Sequence, residues 1–95
     1  MLDRAKRDPK FRVALLGQAI ECFIENDVQT AKKMIRNYVL ASMGFEKLAK
    51  TVDKKPESLM RMLSDKGNPT MNNVAALLAS LKKYEGIDFH VEAVR

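Results

Sequence analysis

Apolar residues along this chain recur three and four apart in five successive stretches, and two apart in only one. From Phe11 to Glu25, the positions Val13, Leu16, Ile20, Phe23 and Ile24 fall on one helical face. Leu15, Ala19 and Cys22 widen that face into a stripe broad enough for a well-buried helix. The segment before it, Met1 to Lys10, is polar and charged. It ends in Asp8-Pro9, a proline tolerated in a first helical turn behind a residue able to cap it. Asn26-Asp27 breaks the pattern and offers the next N-cap. Ala31, Met34, Ile35, Tyr38, Val39 and Ser42 then form an inward face, with Lys32, Lys33, Arg36 and Asn37 on the outward one. Gly44 stands just past the end, where a left-handed residue is expected.

Two short helices follow. The first runs from Phe45 to about Thr51 and turns Phe45, Leu48, Ala49 and Val52 inward. Asp53-Lys54-Lys55 makes a tight polar turn, and Pro56 occupies the first position of the second helix. That helix reaches about Ser64 and buries Leu59, Met62 and Leu63, leaving Met60 outward. Gly67-Asn68-Pro69 stops it. Thr70 caps a last helix in which Val74, Leu77, Leu78 and Leu81 repeat to about Lys83, closed by Tyr84-Glu85-Gly86. From Ile87 to Val94 the period drops to two, which predicts a strand. A lone strand cannot satisfy its own backbone, so it pairs with a second copy or with another protein, or does not form in the free chain. The expected architecture is all-α: one domain, 1–95, of five helices with a short C-terminal strand at 87–94 able to pair in a dimer.

Composition agrees. Aromatics are 6% with no Trp, so the core falls to Leu, Val, Ile, Ala and six Met, a palette suited to helices. With 46% apolar and 31% charged residues the chain is globular rather than disordered. Seventeen basic against twelve acidic residues give a net charge of +5, which favours a polyanionic partner. The single Cys22 excludes a disulfide framework and a cysteine-rich zinc site and is compatible with a reducing cytoplasm. No apolar run reaches the roughly 18–20 residues of a membrane span, and the charged start has no leader-like apolar stretch behind it. The expectation is a cytoplasmic protein with no membrane contact.

An enzyme is not indicated. His90 and Cys22 are single and far apart, Glu21 and Glu25 are a carboxylate pair without a metal partner, and no glycine-rich phosphate loop occurs. No catalytic residue, metal or cofactor is expected. The informative segment is 45–64, two short helices joined by a turn, the arrangement of a helix-turn-helix unit. In such units the second helix enters the major groove by its N-terminal residues while the first crosses the backbone. Small Ala49 lets the helices approach, and Leu59 and Leu63 anchor the second. Left outward are Lys54, Lys55, Glu57, Ser58 and Arg61. Lys55, Ser58 and Arg61 are donors that reach base edges and phosphates, and Lys47, Lys50, Lys54 and Lys66 add backbone contacts. Glu46, Asp53, Glu57 and Asp65 offset these cations.

Leu48-Ala49, Glu57-Ser58-Leu59, Leu63-Ser64 and above all Gly67-Asn68-Pro69-Thr70 resemble the antidote (antitoxin) proteins of addiction modules, within the Cro/C1-type helix-turn-helix group. The resemblance spans about Asp8 to Val94. It departs at Asp53, where relatives usually carry Gly, at Lys54, where they carry an apolar residue, and at Pro56, often Arg or Lys. It implies a homodimer that binds double-stranded operator DNA, represses its own operon and neutralises a small RelE/ParE-type toxin by direct contact. Two other functions fit the residues: a stand-alone phage-type repressor, and a toxin-sequestering module with little DNA binding, using the terminal strand and the apolar first helix.

Overall fold

A computed structural model describes residues 6–95; Met1 to Ala5, half of the polar opening segment, lie outside the described residues. The described chain is all-helical. Helix α1 spans Pro9–Ile24, α2 Val28–Ala41, α3 Gly44–Val52, α4 Pro56–Met62 and α5 Met71–Glu85. The expected punctuation forms. The Asp8 carboxylate accepts from the Lys10 and Phe11 amides, Asp27 from the Thr30 amide, and the Thr70 hydroxyl from the Asn73 amide. Gly44 adopts φ +80° where α3 begins, three residues past the end of α2.

Helices α1 and α2 pack against each other, and α3 touches α2, α4 and α5. One core joins all five elements: Leu16 and Ala19 from α1, Ile35, Tyr38 and Val39 from α2, Phe45, Leu48 and Ala49 from α3. Leu59 and Leu63 come from α4 and its end, Leu77 and Leu81 from α5. At seven residues α4 is too short to be stable alone, so its helix depends on that burial.

Two expectations are corrected. The strand at 87–94 does not form; these residues have no regular structure and no strand occurs among the described residues. Alternation of apolar and polar residues supplies no ladder by itself, and extended backbone gains no ladder hydrogen bonds from a helical neighbour. Instead Gly86, at φ +69°, closes α5, and the Ile87 amide donates back to the Lys82 carbonyl at 3.3 Å. Lys82 also pairs with Asp88 at 2.7 Å.

The second correction is Lys32, expected on the outward face of α2 and found only 1% exposed. Its Nζ donates to the carbonyls of Ser64 (2.8 Å), Gly67 (2.7 Å) and Asp65 (3.4 Å). These carbonyls follow the C-terminal end of α4, where the helix dipole favours a cation. A buried ammonium needs all its protons placed, and three carbonyls supply that. A half-buried carboxylate joins other helices. Glu85 of α5 accepts from the Arg12 guanidinium of α1 and from the Tyr38 hydroxyl of α2, the latter at 2.6 Å.

Candidate nucleic-acid interface

The candidate surface is built on α3, α4 and the turn between them. The turn is local chemistry. Asp53 sits in the left-handed region at φ 55°, ψ 52°, and this lets the Lys54 amide reach back to the Ala49 carbonyl at 2.9 Å. Asp tolerates this conformation at modest cost, so the turn closes without a glycine. Lys55 is extended and Pro56 opens α4 with its fixed φ and absent N–H. Lys54 points no apolar group inward; it is exposed, and Val52 and Ala49 close the joint instead.

Leu59 is fully buried and Leu63 nearly so, which rolls α4 until its other face meets solvent. Lys55, Glu57 and Arg61 are exposed and Ser58 is half-buried behind them. Met60 shares the outer face at 48% exposure. The expected residues therefore divide into groups. Lys55, Glu57, Ser58 and Arg61 lie on α4 or its cap. Lys50 and Lys54 line a notch between the two helices with Glu46, Ala49, Asp53 and Pro56. Lys66 is exposed in the loop after α4.

Lys47 belongs elsewhere. Its Nζ lies 5.2 Å from the centre of the Tyr84 ring, a cation–π distance, and it lines a hollow with Thr51, Ser80 and Lys83. Sequence reasoning missed Lys83, whose position beside Lys47 depends on how α5 crosses α3. It also missed Lys32, because a lysine at a polar position of an amphipathic helix carries no mark of burial.

Residues 64–67 are held tightly behind α4. The Ser64 hydroxyl donates to the Arg61 carbonyl at 2.7 Å and the Gly67 amide to the Ser64 carbonyl at 3.0 Å. A Cβ on Gly67 would lie 2.1 Å from the Arg61 carbonyl oxygen and 2.5 Å from that of Met62. Only glycine lets the chain return this closely over the end of α4. That accounts physically for the glycine that opens the Gly-Asn-Pro-Thr run.

Chemically, the surface offers amines, a guanidinium and a hydroxyl, which donate to phosphate and base-edge acceptors. No group of three or more acids, histidines or cysteines able to hold a metal occurs among the described residues. No described helix is long and apolar enough to cross a membrane. No family model, curated protein or solved structure matches the chain.

Proposed function

We propose that the chain is a DNA-binding antitoxin: a homodimeric helix-turn-helix repressor that binds its operator through α3 and α4 and neutralises a small RelE/ParE-type toxin. The supporting observation is the exposed outer face of α4, anchored from beneath by Leu59 and Leu63, carrying Lys55, Ser58 and Arg61. A short helix held at buried points and free on its outer side fits the major groove. Lys50, Lys54 and Lys66 then reach phosphates. Because one such unit covers a half-site, two copies about 34 Å apart on a palindrome form the operator complex.

A gel shift with the DNA upstream of the gene tests this. Binding is expected to weaken with salt, with a log–log slope near −0.9 per phosphate neutralised. Arg61→Ala costs roughly 1–3 kcal/mol where Arg61 pairs with guanine, and it relaxes specificity at that position. Equal affinity of the wild type and a Lys55→Ala/Arg61→Ala variant refutes the proposed face. A second reading, a toxin-sequestering module with little DNA binding, is favoured by Glu46, Asp53, Glu57 and Asp65, which offset the surrounding cations. Formation of a complex with the neighbouring gene product, without operator affinity, identifies that reading.

A further inference from the structure

Charge is divided unevenly along this basic chain. Between Arg12 and Lys32 there is no lysine or arginine, only Glu21, Glu25 and Asp27. Between Lys66 and Lys82 there is no charge at all. The fold brings these two stretches together. Ile20, Ile24 and Val28 around the α1–α2 junction face Met71, Val74 and Leu78 of α5 across an apolar groove of about 410 Å³. Ile24 is 73% and Met71 86% exposed. Such exposure costs solubility and marks a surface that something covers. A second hollow continues from Ile20 and Ile24 past Glu21 to the tail residues Phe89 and Glu92.

The rim of this surface is acidic. Glu21, Glu25, Asp27 and Glu92 are all exposed. Glu21 and Glu92 line the second hollow, and Glu25 and Asp27 adjoin the groove residues Ile24 and Val28 along the chain, so the four carboxylates set one negative field there. The field selects the occupant. It repels nucleic acid and anionic lipid. It also opposes a two-fold dimer through this groove, because a symmetric interface would set the acidic rims of both copies against each other.

We propose that the groove docks a cationic amphipathic helix of a partner protein, its apolar side against Ile24, Val28 and Met71 and its lysines or arginines against Glu21, Glu25 and Glu92. This rests on the antitoxin reading and names the partner surface within it. The groove shares no residue with α3 or α4, and only Asn68 and Pro69 of the loop after Lys66 reach it, so changes on α1 separate the two contacts.

The test uses the full isotope-labelled chain with a designed leucine/lysine amphipathic helical peptide and its leucine/glutamate counterpart as probes. The lysine peptide is expected to bind, with amide shifts concentrated at 20–28 and 71–78. Glu21→Lys/Glu25→Lys is expected to weaken it about tenfold, as is Ile24→Asp. Both variants change exposed positions, and thermal melts confirm that they fold. Equal binding of the two peptides overturns the proposal, as do shifts centred on α4 or no binding. Concentration-dependent self-association that shields the same residues, seen by sedimentation without peptide, also overturns it in favour of a second copy. Operator affinity is measured in parallel. Its absence, with peptide binding intact, defeats DNA recognition alone; its presence, with the peptide unbound, defeats the docking groove alone.

Discussion

The two ends of α4 are treated in opposite ways. At its N-terminal end no side chain caps the helix, the flanking lysines are exposed, and only the αL turn at Asp53 sets its direction. At its C-terminal end the carbonyls of residues 64, 65 and 67 converge on one buried ammonium, and Gly67 is folded against Arg61 and Met62. A seven-residue helix cannot hold itself, so its pose must come from one end or from beneath. Here the clamped end and Leu59 supply it, and the other end is left open to solvent. The lesson is that a small domain can hold a short helix from one end and from beneath while leaving its other end exposed.

The strongest way to break this contrast is Lys32→Met. The substitution keeps most of the buried volume but leaves three carbonyls without their donor. An apolar replacement of a buried ion is neutral only when its partners are replaced too, and backbone carbonyls cannot be. The expected loss is about 3–5 kcal/mol, a fall in Tm of more than about 10 °C for a domain of this size. Amide exchange at Leu59 and Leu63 is expected to accelerate more than in α1. Uniform acceleration across all helices would show that Lys32 supports the whole core and not the end of α4.

Gly67→Ala attacks the same end from the loop. With backbone oxygen 2.1 Å from the new Cβ, the turn must shift rather than a side chain. The expected cost is about 2–3 kcal/mol, measured by urea unfolding, with operator affinity falling as α4 loses its register. Unchanged stability would mean that the loop moves freely and that the clamp is looser than its hydrogen bonds imply.

These two residues also mark the limit of what was legible. Gly67 was marked as a stop by its neighbours Asn68 and Pro69, and the caps Asp8, Asp27 and Thr70 were readable because each acts on amides two or three residues away. Leu59 and Leu63 followed from a period that needs no partner. Lys32 did not, because its carbonyls lie more than thirty residues along the chain. The tail failed for the opposite reason: Ile87, Phe89 and Val91 alternate as a strand does, but alternation describes which side is apolar and says nothing about what supplies the ladder. On the candidate surface, α4's outward residues were legible from the same period, whereas the separation of Lys47 toward Tyr84 depends on how α5 crosses α3.

Glu85 provides a smaller effect that sharpens the contrast, because it ties α1, α2 and α5 without touching α4. Burial raises its carboxyl, but the Arg12 and Tyr38 hydrogen bonds and the Arg12 charge outweigh burial and hold it below its ordinary 4.5. A group depressed in the folded state stabilises above its unfolded value and ceases to do so as pH falls through its folded one. Stability is therefore expected to drop on acidification below about 4.5, and Glu85→Gln to cost about 1–3 kcal/mol at neutral pH and to flatten part of that acid limb. In that variant amide exchange should rise in α1 and α5 before α4. An equal rise in α4 would merge the two joints into one.

The smallest effect tests the free end. Asp53 holds a left-handed conformation that glycine adopts without strain and alanine does not. Asp53→Gly relieves that strain but also loosens the unfolded chain, so the two effects nearly cancel and the net change is within about 0.5–1 kcal/mol, toward stability. Asp53→Ala keeps the strain and loses the short polar side chain that tolerates it, and is expected to destabilise by about 1 kcal/mol. Thermal melts of the pair separate backbone conformation from charge, since both variants remove the same carboxylate. On operator DNA both should therefore gain affinity at low salt through the lost repulsion, and only the alanine variant should lose stability with it. If the glycine variant instead weakens operator binding, the αL turn is steering the open end of α4 as firmly as Lys32 steers the closed one, and the asymmetry between its ends is one of burial alone.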